Sequence, residues 1–422
     1  MTNKGFTYYK IIRSGGNILL LISTILLFLL TFSYTGLSQT IKIDDSIPDS
    51  LVNQRVWYKR IDLSGYAQVR YNGFQTNPNL SCEQCDKSWG GSEGFFFRRI
   101  RLKFSGQVHP RVYFYIQPDF ASGKGAGLNY TQIRDAYFDV GLDEKNEYRF
   151  RIGQSKVPFG FENMQSSQNR LPLDRNDALN SALSNERDIG IFFYWAPEVV
   201  RKRYRMLVKE GYKGSGDYGA LGLGVYNGQL ANQPELTDDQ HIVGRFTYPF
   251  KIGNQIFEPG IQGYTGQYKI SPSRVSIGVS HHEDLTYIDQ RVAASAILYP
   301  RPFGIQAEYN IGKGPEFDKL NNEINISNLI GGYITISYMM RIQNQLIYPF
   351  IRYQNYQGGK KHELDARSYE VDELELGIEW LPYPNFEFVF MYTFSERRYE
   401  DFQVKDNFQK GGLVRIQLQV NF

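Results

Sequence analysis

The chain has 422 residues, and its 47 Lys and Arg nearly balance 44 Asp and Glu, a formal charge of +3 with no basic block, which excludes a nucleic-acid-binding surface. Aromatic residues reach 15%, with 31 Tyr and 29 Phe beside 40 Gly, yet mean hydropathy is −0.43, which excludes a bundle of apolar spanning helices. A transmembrane β-barrel meets all of these conditions, because its alternating strands hide their hydrophobicity and its interfacial girdles use tyrosine.

Residues 1–38 read as a secretory signal peptide. Lys4, Lys10 and Arg13 precede an apolar run at 18–30, and Gly36-Leu37-Ser38 offers small residues for cleavage before Gln39. That run is short for a spanning helix of ~20 residues. Residues 39–60 are polar and aperiodic, the expected periplasmic lead to a barrel at 61–422. Cys82 and Cys85 are the only cysteines, and neither a third cysteine nor a neighbouring histidine supports a metal site. A small disulfide in an exposed loop is the simpler reading in an oxidising compartment.

Alternation of apolar and polar residues then places strands at 63–71, 95–106, 112–120, 131–142, 148–157 and 188–195. It continues at 218–226, 242–250, 256–269, 287–299 and 303–311, and ends with 330–341, 346–356, 373–381, 386–394 and 414–422. About sixteen strands is an even number, as single-chain bacterial barrels require. The stretch 197–211 breaks the pattern, with Pro197 at a helix start, Glu198 in the first turn and Gly211 at the stop, so a short helix is predicted there. Connections after even-numbered strands are mostly tight. Those after odd-numbered strands are long, at 75–94, 158–187, 228–240, 312–329, 357–372 and 395–411, which is the sorting expected of periplasmic turns and external loops.

The last strand alternates cleanly, with Val414, Ile416, Leu418, Val420 and Phe422 on one face and Arg415, Gln417, Gln419 and Asn421 on the other. Ending on an aromatic residue resembles the closing strand of bacterial outer-membrane barrels. Phe422 is therefore expected to present the chain to the barrel-assembly machinery, and this strand to pair with the first, since an open edge cannot survive in lipid.

In a membrane barrel the apolar face meets lipid and the polar face the lumen. That rule turns Gln68, Arg70, Arg99, Arg101, Lys103, Arg149 and Arg151 inward as a basic wall, and Glu373, Glu375 and Glu379 inward as an acidic one. Unpaired charges of this number would be prohibitive in a packed core. A water-filled lumen, which about sixteen strands can enclose, accommodates them, and salt bridges across the wall are the competing use. The connection 158–187 carries Phe159, Phe161, Met164, Leu171, Leu173, Leu179 and Leu183, too many apolar side chains to leave in water. Lipid cannot accept its irregular backbone, so it is expected inside the lumen, held by Arg170, Asp174, Arg175 and Asp177.

Residues 148–195 resemble the phosphate-selective porin O/P family in its Bacteroidetes-type form. The matching features are Gly153-x-x-Lys156-x-Pro158-Phe159-Gly160, the serine-rich loop after it and Arg187-Asp188-Ile189-Gly190. Gly65-Tyr66-Ala67-Gln68-Val69-Arg70 and Arg98-Arg99-Ile100-Arg101-Leu102 fit as well. The resemblance implies a sixteen-stranded barrel, usually a homotrimer, whose third external loop folds inward to constrict the pore. Phosphate selectivity is discounted, because Arg170, Arg175 and Arg187 share that loop with Glu162, Asp174, Asp177 and Glu186.

The expected function is an outer-membrane porin passing small hydrophilic or anionic solutes, with no cofactor. One alternative is an adhesive or structural barrel, which would be plugged or narrow. Another is an outer-membrane enzyme, but the five histidines, at 109, 241, 281, 282 and 362, fall in turns, strand ends or loops, and no G-x-S-x-G elbow is present. His281-His282-Glu283-Asp284 could bind a metal, although a solvated loop is the simpler reading.

Overall fold

The structure is a computed structural model that describes residues 61–80, 93–124 and 127–422. The signal peptide and lead assigned to 1–60, and the pair Cys82 and Cys85, lie outside the described residues. Sixteen strands run in order: β1 Asp62–Gly73, β2 Gly94–His109, β3 Val112–Lys124, β4 Gly127–Gly141, β5 Tyr148–Lys156, β6 Arg187–Trp195, β7 Leu221–Tyr226 and β8 His241–Thr247. They continue as β9 Gln255–Lys269, β10 Thr286–Leu298, β11 Phe303–Asp318, β12 Glu323–Tyr338, β13 Gln345–Gly359, β14 Ser368–Tyr383, β15 Phe386–Glu400 and β16 Phe408–Asn421. Two short pieces, Phe250–Ile252 and Met340–Ile342, prolong β8 and β12 past a break and pair with the same neighbours.

Each strand pairs antiparallel with its sequence neighbours, and β16 pairs with β1 from Tyr66↔Asn421 to Gly73↔Val414. Phe422 N donates to Gly65 O at 3.0 Å and Gly65 N to Phe422 O at 2.7 Å, so the last residue extends the closing ladder. Closure leaves no strand edge among the described residues. Polarity is inverted relative to a soluble sheet: on β14, Leu376 is 41% exposed while Glu375 is 1% exposed.

The helix predicted at 197–211 is present as Glu198–Lys209, with Pro197 before it and Gly211 at φ 79° after it. Several external connections are shorter than expected, because strands continue into them. The stretch 312–329 is mostly a hairpin, closed by residues 319–322, and 357–372 and 395–411 shrink to 360–367 and 401–407. The turn at 319–322 forms because Asp318 accepts from Leu320 N and Asn321 Nδ2, both at 2.8 Å, and Asn322 takes the left-handed φ of 51°. Strand seven starts at Leu221 rather than 218.

Apolar packing follows the connections. Phe159, Leu179 and Leu183 cluster with Phe192 of β6, Tyr264 of β9 and Tyr333 of β12, and Leu171 and Leu173 cluster with Tyr348 of β13 and Val389 of β15. All the wall residues in these clusters lie on the buried faces of their strands.

Candidate channel interior

The connection 157–186 contains helices α1, Phe161–Met164, and α2, Asp177–Ala182. Asn176 caps α2 by accepting from Leu179 N at 3.1 Å. Its polar groups meet buried-face side chains on strands all round the barrel. Tyr66 of β1 hydrogen-bonds Ser167 at 2.7 Å, and Glu308 of β11 accepts from Phe161 N at 2.9 Å. Arg291 of β10 donates to Ala178 O at 3.0 Å, while Arg352 of β13 pairs with Glu162 at 2.8 Å and Arg397 of β15 with Asp177 at 2.7 Å.

Within that segment, Asp174 gathers Arg70 at 3.5 Å, Arg98 at 3.3 Å and Arg415. Burial alone would push its carboxyl up, but Arg415, Arg70 and Arg98 outweigh burial and hold it well below the usual carboxylate range. Asp177 is held down in the same way by Arg397 and Lys360. Arg170 and Arg175 bond within their own connection. Arg170 donates to Pro172 O and Leu173 O at 3.0 and 2.9 Å, and Arg175 pairs with Glu186 of the same connection.

The basic residues singled out on β1, β2 and β5 share the buried face but differ in company. Arg70 donates to Gln417 at 2.6 Å, Arg99 to Gln68 at 2.9 Å, and Arg101 to Asp119 at 2.7 Å and Tyr66 at 2.9 Å. Lys103 bonds Gln168. Arg149 pairs with Asp217 at 2.7 Å, and Arg151 grips Asp139 at 2.7 and 2.9 Å.

The acidic wall is not a free field of charge. Glu373 pairs with Arg397 at 2.8 Å, Glu375 with Arg352 at 2.5 Å and Glu379 with Lys213. Of the arginines on these walls, Arg352 and Arg415 fall on the polar faces of the alternating runs 346–356 and 414–422, whereas Arg397 lies in the stretch 395–411, expected to be a loop. Lys213 was not legible, because it comes from the connection 196–220 after β6.

That connection and 360–367 are the two parts of the interior that periodicity missed. Helix α3, Glu198–Lys209, buries Val200, Tyr204 and Leu207 against Phe161, Ile256 and Tyr299. Beyond it, Tyr348 Oη donates to Gly211 O at 2.8 Å and Gln165 Nε2 to Lys213 O at 2.6 Å. From 360–367, Lys360 reaches Asp177 at 2.5 Å and Lys361 reaches Asp289. Neither segment repeats at period 2, so its charges carry no facing information.

Accessibility is uneven. Facing inward on β2–β4, Lys103, Ser105, Tyr113, Tyr115 and Asp139 are half-buried and Gln107 is exposed. A cavity of ≈ 370 Å³ lies between this wall, Arg149 and Arg151 of β5, and α3. Across the barrel, Glu373, Glu375, Glu379, Arg352, Arg397 and Arg415 are all fully or almost fully buried. His281 and His282 are exposed, and no group of three or more His, Cys, Asp or Glu is placed to hold a metal among the described residues.

A closed antiparallel barrel, apolar outside and charged inside, with ion-paired segments among its inner faces, defines the porin class of outer-membrane channel. The chain belongs to the phosphate-selective porin O and P family, whose model matches residues 82–422. In fold it is similar to the outer membrane channel DcaP of Acinetobacter baumannii, at 13% identity, covering 86% of this chain and 97% of that one with a TM-score of 0.53. It is also similar to Salmonella typhi OmpF, solved in complex with Daunomycin, at 10% identity, 86% and 97% coverage and a TM-score of 0.51. In-vitro folded OmpT of Vibrio cholerae, in its trimer form, aligns at 10% identity, 86% and 99% coverage and a TM-score of 0.50. No curated protein matches the sequence. Family and fold make this a passive outer-membrane channel and point away from an enzyme.

Proposed function

We propose that this channel passes small hydrophilic solutes with a preference for anions, along a path beside β2–β5 rather than through the barrel axis. The observation that carries the reading is a contrast in accessibility: Lys103, Ser105, Gln107, Tyr113, Tyr115 and Asp139 on β2–β4 are half-buried or exposed, beside buried Arg99, Arg101, Asp119 and Asp135, whereas the inward charges of β13–β16 are buried. Lys103, Arg149 and Arg151 border the path, and Arg70, Arg99 and Arg101 contribute charge from behind it. The connection 157–186 is the inward-folded constriction, with Asp174 and Asp177 tying it to the wall and Arg170 and Arg175 bracing its own backbone and carboxylates. Its ion pairs to Arg70, Arg352, Arg397 and Arg415 support that placement.

The mature protein begins after residue 38, engages the assembly machinery through Phe422, sits in outer-membrane lipid and works as a homotrimer. Phosphate is one solute such a path accepts. Mixed charge in the constriction argues against a dedicated phosphate trap.

The density of packing inside the barrel favours one competing reading, a sealed barrel with a structural or adhesive role. Single-channel recording with reversal potentials in a salt gradient separates the two. Steady unitary current with an anion-side reversal potential is expected, and a correctly folded barrel that passes no current would leave the structural reading standing.

A further inference from the structure

We infer that the outer wall across β8–β12 carries a binding groove for one acylated, phosphorylated glycolipid of the external leaflet, the lipid class that faces outward in a Gram-negative outer membrane. The groove lies on the lipid side of the wall, so the inference goes beyond the channel reading and does not depend on it. Its volume of ≈ 850 Å³ falls within the ~300–1,000 Å³ usual for small-molecule sites.

Strand register arranges the lining in two adjacent rows. One row runs Ile242, Thr265, Gln290, Lys313 and Asn328, each directly opposite the next on β8, β9, β10, β11 and β12. The other lies one pleat farther from the external connections and runs Gly244, Gly263, Val292, Ile311 and Ile330. Every one of these residues borders the groove. Val243, Tyr264, Arg291 and Leu329, which alternate with them, are buried on the inner side, so both rows project outward.

Polarity changes along the rows as well as between them. The first starts apolar at Ile242 and is polar from Thr265 onward. The second stays apolar to Ile330 and meets a polar side chain only at Gln357 of β13, directly opposite Ile330. Strands tilted ~35–45° in a membrane produce a boundary that cuts the rows obliquely in this way. The groove therefore straddles the plane where acyl chains give way to headgroups.

Each half of the groove matches one half of an amphiphile. Gly244 and Gly263 face each other without side chains, between Leu223 of β7 and Val292, and leave a trough that an acyl chain fills. Above it Lys313 is exposed and makes no ion pair among the described residues. Thr265, Gln290 and Asn328 in the same row offer donors and acceptors for phosphate and sugar oxygens. Among the described residues no carboxylate borders the groove, and Arg291, the other cation there, turns inward to Ala178 O at 3.0 Å and Ser181 at 2.7 Å. An ammonium at the lipid boundary with no counter-charge calls for an anionic headgroup. Lipid tails are as apolar as the trough, so shape and charge select the occupant, not the hydrophobic effect.

The test is binding of bisphosphorylated lipid A to the whole barrel, purified in detergent and stripped of lipid, read by native mass spectrometry. Lys313→Gln should weaken binding roughly tenfold, equivalent to about 1.4 kcal/mol. Gly244→Leu fills the trough and should weaken it as well, and a Cβ there meets nothing nearer than Leu223 Cδ2 at 3.6 Å, so the wall accepts the change. Lys410→Gln, at an exposed lysine of β16 paired with Glu396 and outside the groove, should leave binding unchanged. No binding by wild type, unchanged binding in Lys313→Gln, or an equal loss in Lys410→Gln overturns the site. Displacement of lipid A by an equal concentration of phosphatidylglycerol overturns the choice of glycolipid. Oligomers that dissociate in Gly244→Leu while lipid A binding holds would give the trough to a second copy of the chain, and that also overturns the inference. If Gly244→Leu assembles poorly, Lys313→Gln, a change at an exposed side chain, decides alone.

Discussion

Two inner walls of this barrel carry comparable amounts of charge and use it differently. On β13–β16, Arg352, Arg397 and Arg415 meet Glu373, Glu375, Glu162, Asp174 and Asp177 in buried pairs. On β2–β5, Lys103, Tyr113 and Asp139 keep part of their surface, and Arg149 keeps an unengaged nitrogen beside a cavity. An inward-facing charge is therefore not by itself a pore-lining charge. What separates the two is what the packed connection brings to the wall. Against β13–β16 the connection 157–186 supplies carboxylates, and charge serves cohesion. Against Arg101 and Lys103 of β2 it supplies the neutral Ser167 and Gln168, and Lys103 stays half-buried.

The sharpest way to break this contrast is to remove a partner from the packed wall. Arg397→Ala removes the cation shared by Glu373 and Asp177, leaving Lys360 on Asp177, and should cost about 3–5 kcal/mol, the range for breaking a buried pair. It should appear as a large drop in the thermal midpoint of the detergent-solubilised barrel, whereas Lys103→Ala, whose partner Gln168 is neutral, should shift it far less. Deleting 169–181 should next raise unitary conductance severalfold, because it frees the packed wall to water. Unchanged conductance in an assembled deletion variant would take that segment out of the constriction.

A smaller effect separates the two walls by charge. Lys103→Glu should move the reversal potential toward cations, most clearly at low salt, where the Debye length is ~30 Å rather than ~10 Å. Glu373→Gln should move it little, since that carboxylate already faces Arg397.

The smallest effect is a predicted constancy. Asp217 is depressed to about 2, so the stability it lends is present above its unfolded value near 3.8 and is lost only as pH falls through about 2. Asp174 and Asp177 are depressed in the same direction, by Arg415 and by Arg397. Ion preference should therefore hold steady between pH 8 and pH 4, checked by reversal potentials, and a midpoint near neutral pH would point to a titrating group outside these pairs.

Much of this architecture was legible in the sequence because a barrel wall is written at period 2. All sixteen strands lie where alternation puts them, and Ile100, Ile152 and Ile378 mark the lipid side as clearly as Arg99, Arg151 and Glu379 mark the other. Strand ends were less legible, since polar hairpins such as 312–329 look like loops until Asp318 and Asn322 close a turn. The connections were legible only in part. Apolar content revealed that 158–187 needs cover, but nothing periodic announced that Lys213 would meet Glu379 or that Lys360 would meet Asp177. Those are meetings between segments more than 160 residues apart, set by packing and not by local pattern.

The central claim, that the open path follows β2–β5, is tested most directly by reactivity of two small inner-face positions in a background with Cys82 and Cys85 replaced by serine. Ser105→Cys lies on the half-buried face of β2, and Thr393→Cys on β15, where the native side chain is 0% exposed. A membrane-impermeant, charged thiol reagent should react with the first and step the single-channel current down, while leaving the second unmodified. Modification and block at 393 with none at 105 would place the path on the opposite wall and contradict the account.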